Sequence, residues 1–326
     1  GGQKLLLRNA NTYTGETTVS GGVLEVSHVL GTAGSGVIDG ISGTSKVSVA
    51  SGATFNVVTG SIGGTLTLAG TSGTVLELAG GSRLGVEVGP NTGTNVGSNA
   101  GENTGSSIRL QPGALALVTG NVTVDAYFLP GIVTHAGKSD ILVAQGGGLV
   151  NTNGSAGTYS VGNLYNVTNF TVTGITATDT LVQFDVAAAA ALTDAYWKGA
   201  YTGGITDTWS VSNGSTSSNW TTDLAGTIAT GQVPSIATNV FLSAVGQANQ
   251  NDMVLGADTT IKTLTVNTSD TSTPILLKAD GGYKLTIDLA AAITVDSGAS
   301  ATTIASKLAF NAATATIAVN SVTANP

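Results

Sequence analysis

His28 and His135 are the only histidines in a chain of 326 residues that has no cysteine. A protein zinc site takes three or four His, Cys or carboxylate ligands at close spacing. Neither histidine has such a neighbour in sequence, so each is expected at a surface or turn, and no metal is expected. Calcium-binding Gly-Gly-x-Gly-x-Asp repeats and EF-hand loops are absent. Asp207, Asp223 and Asp270 stand in turn-like contexts, where Asp caps backbone amides; clustered loop carboxylates remain the one open route to calcium. Polysaccharide lyases and glycosidases need paired carboxylates, or carboxylates beside a catalytic Arg or Lys. Here there are three arginines (Arg8, Arg83, Arg109) and no Asp-Asp or Asp-x-Asp pair. No serine sits in a Gly-x-Ser-x-Gly elbow, and Gly146-Gly147-Gly148 follows no phosphate-binding pattern. The expectation is a non-enzyme with no catalytic residue, metal ligand or cofactor; a polysaccharide-active enzyme is the weakest of three functional alternatives.

The three tryptophans, Trp197, Trp209 and Trp220, all fall in one short segment. Two readings stay open for them. They pack a local core, or they expose an aromatic platform for a glycan, since indole faces suit the apolar faces of sugar rings.

These residues are carried by a chain of unusual composition. Charged residues make up 9%, against roughly 25% in an ordinary soluble domain. Apolar residues are 41%, too many for the low-hydropathy, high-charge signature of disorder. No apolar run approaches the 18 or so residues of a membrane-spanning helix; Ala187–Leu192 is the longest, so no membrane span is expected. A net charge of −8, with Lys and Arg scattered from Lys4 to Lys307, argues against nucleic acid as a partner.

Short runs of alternating Val, Leu, Ile and Thr recur along the chain. Examples are Lys4–Leu7, Val23–Val26, Lys46–Val49, Thr65–Leu68, Val75–Leu78, Val86–Val88, Asn121–Val124, Thr171–Thr173, Lys262–Val266, Lys284–Ile287 and Ile293–Val295. Period-two alternation rich in β-branched residues predicts strands. Only Phe184–Thr193 offers a helical turn. The class is all-β, as a β-solenoid or a β-sandwich. Two features favour the solenoid. Asp39-Gly40 and Asp280-Gly281 are the only Asp-Gly hairpin signals. A corner of small residues ending in Gly-Ala recurs between strands, as Ala50-Ser51-Gly52-Ala53, Gln111-Pro112-Gly113-Ala114 and Asp296-Ser297-Gly298-Ala299. At about 20–25 residues per coil the chain would form about 13–16 coils. Three segments are expected: 1–195, a Gly-punctuated solenoid; 196–239, a Trp-bearing joint; and 240–326, a second solenoid.

Asn9-Ala10-Asn11-Thr12-Tyr13-Thr14-Gly15-Glu16-Thr17-Thr18-Val19-Ser20-Gly21-Gly22-Val23-Leu24-Glu25-Val26, led by Lys4–Leu7, resembles the autotransporter-associated β-strand repeat of bacterial autotransporter passengers. The Trp segment with Pro234 and Asn239-Val240-Phe241 resembles a module of large repetitive surface proteins of that kind. The resemblance implies a right-handed parallel β-helix displayed at the bacterial cell surface. The residues 316–326 lack the aromatic-ended strands of a translocator barrel, so a cleaved passenger or one repeat of something longer is expected. The order of the segments suggests circular permutation, with Pro326 splicing onto Gly1. Subunits are then expected to stack head to tail as an extracellular fibre, filament or stalk, the chain's partner being itself. The residues expected at the contacts are Leu5, Leu7, Val23 and Leu24 on one side and Ile317, Val319 and Val322 on the other. An adhesin that binds surface glycans is the alternative.

Overall fold

The computed structural model describes residues 3–7, 13–27, 45–58, 64–68, 70–88, 106–129, 137–144, 146–267 and 273–320. The protein is all-β, and no helix occurs among the described residues. Phe184–Thr193, the candidate helical turn, instead begins inside a strand, because Val182 and Phe184 alternate inward as strand residues do. The chain divides into two compact units, residues 1–162 with 173–187 and residues 163–172 with 188–326. The tryptophans fall in the second unit together with the strands that follow them. The segments 196–239 and 240–326 both contribute to one hydrophobic core.

In the first unit, sheet A stacks β1 (Lys4–Leu7), β3 (Val23–Ser27), β5 (Thr54–Val58), β8 (Arg83–Val88), β11 (Asn121–Phe128) and β14 (Thr158–Tyr165). Sheet B stacks β2 (Thr17–Val19), β4 (Val47–Val49), β7 (Gly73–Leu78), β10 (Ala114–Val118) and β13 (Leu149–Asn151). Sheet C holds β6 (Gly64–Leu68), β9 (Ser106–Leu110), β12 (Gly137–Ala144), β16 (Leu181–Ala188) and β15 (Phe170–Ala177). From β5 to β14 the chain visits sheets A, C and B in strict rotation. From β7 to β12 the pairings with neighbouring rungs are parallel, and β12 pairs antiparallel with β16. Parallel neighbours cannot be joined by a hairpin, so each must be reached by a long excursion. Here that excursion is the other two sheets.

Register places like on like. Leu5, Leu24, Phe55, Leu84 and Val124 form one ladder, and Leu7, Val26, Val57, Val86 and Ala126 form another. Both face inward. Phe55 and Val57 are fully buried, and each such side chain contributes about 1.5–3 kcal/mol by leaving water. Steps along the first ladder below Leu24 are 31, 29 and 40 residues, longer than the expected 20–25.

The recurring small-residue corner has a direct cause. Ala53 N–H donates to the Ala50 carbonyl at 3.0 Å, and Ala114 N–H donates to Gln111 at 3.0 Å. Gly52 and Gly113 hold φ of 77° and 88° at the third position of these turns. That is where a type II turn demands positive φ, with Pro112 suited to the position before it. The alanine that follows is fully buried, since only a small side chain fits inside the corner.

The second unit is built on the same plan. Sheet D contains β17 (Asp194–Trp197), β19 (Trp220–Thr221), β20 (Asn239–Leu242), β22 (Thr263–Val266), β25 (Ala291–Val295) and β28 (Thr316–Val319). A second sheet, called E, pairs β23 (Ile275–Leu277) with β26 (Thr302–Ile304). A third, F, stacks β21 (Thr259–Ile261), β24 (Lys284–Ile287) and β27 (Lys307–Phe310). From β22 to β28 the order is D, E, F, D, E, F, D, all in parallel pairs. Val240, Leu264, Ile293 and Ile317 form its inward ladder, at steps of 24, 29 and 24 residues. β18 (Val211–Ser212) pairs antiparallel with Leu164 and Tyr165. Asp280-Gly281, a hairpin signal in sequence, turns the chain from sheet E to sheet F. Asp39-Gly40 lies outside the described residues.

Candidate functional site: the open strand edges

The inward ladders end on exposed side chains. Leu5 continues the ladder of Leu24 and Phe55, yet it is 60% exposed, because among the described residues no strand pairs with the outer edge of β1. A groove of about 470 Å³ follows this edge, walled by Leu5, Leu7, Tyr13, Thr17 and Val19. At the last rung of the second unit, Ile317 and Val319 stand on Ile293 and Val295 and are 54% and 69% exposed. Leu308 stands on the fully buried Leu285 and is 37% exposed. A side chain placed inward by its register, but left in water, marks a rung with one face uncovered. Its N–H and C=O groups are a template for a further strand.

Of the residues expected to make contacts, Leu5 and Leu7 lie on β1, while Val23 and Leu24 lie one rung in on β3, Val23 half-buried and Leu24 buried. Ile317 and Val319 lie at the other. Val322 is outside the described residues, as are His28, His135 and Asn9–Thr12 of the repeat-like motif.

The outer face of sheet B carries a column of alternating charge. Lys46 Nζ lies 3.6 Å from Glu16 and 2.7 Å from Glu77, one rung to either side. A hydrogen bond from the Ser48 hydroxyl at 2.6 Å, reinforced by Lys46, holds the Glu16 carboxyl below its ordinary value. The hydrogen bond to Glu77 raises Lys46. On sheet A, Lys4 Nζ donates to both carboxylate oxygens of Glu25 at 3.1 Å. On sheet F the corresponding column is unbalanced: Lys307 stands directly on Lys284. Sequence reasoning passed over these charges. Their signal is spacing: Glu16 and Lys46 stand 30 residues apart, one rung of sheet B, and Glu77 lies in the next rung, opposite Ser48.

The tryptophans correct one expectation. Trp197, Trp209 and Trp220 are each fully buried. Trp209 and Trp220 meet edge to face with centroids 5.0 Å apart, and Trp197 meets Trp220 at 5.3 Å. With no face in solvent they form no glycan platform. Burial requires partners for the indole N–H groups, and each has one. Trp197 donates to the Ala248 carbonyl at 2.9 Å, Trp220 to the Trp209 carbonyl at 2.8 Å and Trp209 to Met253 Sδ at 3.3 Å. Asn219, fully buried beside Trp220, donates to the carbonyls of Ile205 and Thr208 and accepts from Tyr201 N–H. Gly199 holds φ of 64° against the Ala248 carbonyl, where no β-carbon fits. The whole Trp motif is thus architectural.

Asp223 also serves structure. It accepts from the Ile228 and Thr227 amides and the Thr227 hydroxyl, and these bonds lower its carboxyl. Among the described residues no group of three His or carboxylate side chains could hold a metal ion, and no helix is long and apolar enough to cross a membrane. Compared with known proteins, the chain matches no family model, no curated protein and no solved structure.

Proposed function

We propose that the chain is a structural β-solenoid, a right-handed parallel β-helix of bacterial autotransporter-passenger type. On this reading it works outside the cell as a subunit of a fibre built rung upon rung. The rotation of successive strands through three sheets supports the coil. The observation that carries the functional reading is the exposure, among the described residues, of inward-facing side chains at two strand edges, Leu5 at one and Leu308, Ile317 and Val319 at the other. Natural solenoids cap such rungs when they act as monomers, and contact between two unlike edges can propagate without closing. The absence of cysteine and the scarcity of charge suit export and display. Each added rung would form about ten backbone hydrogen bonds, each contributing about 0.5–1.5 kcal/mol net.

Sedimentation velocity of the purified full-length chain over a wide concentration range tests this reading. A series of growing end-to-end species is expected. Leu5→Lys together with Ile317→Lys should hold the chain as monomer, and growth unaffected by both changes would count against the edges as the contact.

A further inference from the structure

We propose that Asn153-Gly154 is a site of spontaneous self-modification, at which the Gly154 amide displaces ammonia from the Asn153 side chain and water then leaves an aspartyl or isoaspartyl residue. The reaction needs no second chain and stands apart from the fibre reading.

The chemistry sets plain requirements. The asparagine carboxamide must be free to turn back on the chain. The next residue must carry no side chain to bar the approach, and its N–H must be released from other acceptors. The Gly154 nitrogen then attacks Asn153 Cγ. The new N–Cγ bond closes a succinimide ring, the Cγ–Nδ2 bond breaks, and the proton of the attacking nitrogen leaves with ammonia. Water opens the ring. Cleavage of the N–Cγ bond gives aspartate, and cleavage between that nitrogen and the Asn153 main-chain carbonyl carbon gives isoaspartate. Either product carries a carboxylate where a neutral amide stood.

The chain contains Asn-Gly twice, each time followed by serine: Asn153-Gly154-Ser155 and Asn213-Gly214-Ser215. Local sequence therefore gives the two sites nearly equal reactivity, and the fold separates them. Asn153 and Gly154 are both exposed, in the turn between β13 and β14. The Asn153 amide N–H donates to Asn151 Oδ1, but among the described residues no hydrogen bond holds the Asn153 carboxamide. A β-carbon on Gly154 would meet no atom within 4 Å, so the approach is open. The reacting N–H donates to the Asn151 carbonyl at 3.0 Å. That is a single bond in an exposed turn, where local opening is easy.

Asn213 is held at both ends of its carboxamide. Its Oδ1 accepts from the amides of Ser215, Thr216 and Ser217 at 2.9–3.0 Å, and its Nδ2 donates to Thr216 Oγ1 at 3.1 Å. The Gly214 N–H donates to the buried Ser212 hydroxyl at 3.1 Å. Gly214 is itself buried, and its carbonyl accepts from the Val172 N–H at 2.9 Å. Attack here requires the whole turn to come apart.

Peptide mapping by mass spectrometry of the full-length chain, incubated at mildly alkaline pH in heavy-oxygen water, tests the proposal. In the folded chain Asn153 should lose ammonia and gain heavy oxygen at least about tenfold faster than Asn213. Ion exchange should resolve the product as a more acidic form. In urea, where both tripeptides are solvated, the rates should agree within about twofold. Asn153→Gln, whose longer side chain closes the ring poorly, should abolish the early acidic form. Equal rates at the two sites in the folded chain would overturn the proposal. So would conversion at Asn153 that begins only once urea unfolds the protein, or an acidic form that persists in Asn153→Gln.

Discussion

Trp220 donates its indole N–H to the backbone carbonyl of Trp209 at 2.8 Å, while the two rings meet edge to face at 88°. This contact fixes the turn between β17 and β19 and seats both rings in the core shared with Val240, Leu264 and Met253.

Truncating either ring should therefore unfold the second unit and leave no surface function to lose. Trp209→Ala or Trp220→Ala is expected to cost about 3–5 kcal/mol, the range for emptying a large aromatic site. Urea unfolding followed by tryptophan fluorescence measures it. A variant with unchanged stability would return the indoles to the surface and revive the glycan reading.

The single methionine reports on the same core. Met253 is fully buried, and its sulfur accepts from Trp209 Nε1. Peroxide should oxidise it only as fast as the unit opens, so its rate should rise in step with urea-induced unfolding. Mass spectrometry of intact protein follows the added oxygen. Oxidation at the rate of free methionine under native conditions would contradict the burial.

One corner of the first unit depends on a close approach between rungs. Gly80 and Gly120 stand at successive corners, and a β-carbon on Gly120 would lie 2.8 Å from the Gly80 Cα. Gly120→Val should push the rungs apart at a cost of about 1–3 kcal/mol, read as a lowered urea midpoint. Gly174→Ala, where no atom lies within reach of the new carbon, is the control and should leave the midpoint nearly unchanged.

Acid should weaken the first unit through Asp185. Burial pulls this carboxyl upward, but hydrogen bonds from Lys138 at 2.5 Å and Thr176 at 2.7 Å outweigh it and leave the net value lowered. Because the folded value lies below the unfolded one, the contribution is full above the ordinary carboxylate range. It is lost as pH falls through the depressed value. Asp185→Asn should be less stable than wild type at pH 7, with the gap closing in acid. A gap that widens in acid would contradict the sign.

Strands were legible because alternation is local. Val47-Ser48-Val49 and Thr65-Leu66-Thr67-Leu68 show it in three or four residues, and both form strands where it predicts them. The corners were legible too, since Gly52 and Gly113 sit where positive φ is required. Rung length was not, because it depends on how far the chain strays between strands. The step from Leu84 to Val124 is 40 residues, against 29 for the step before it, and no periodic mark in the sequence announces the difference. The fate of the tryptophans was also hidden: Trp-x-Gly and Asn-Trp read alike for a platform and a core. Only the partners of their N–H groups separate the two. The charge column escaped because Glu16, Lys46 and Glu77 are neighbours only once the rung length is known.

Diffraction from aligned assemblies tests the central claim most directly. If the strands coil and each subunit adds its rungs to those of the next, the strand spacing of about 4.8 Å should appear along the fibre axis. The same spacing found only across the axis, or a preparation that yields no fibres at any concentration, would contradict it.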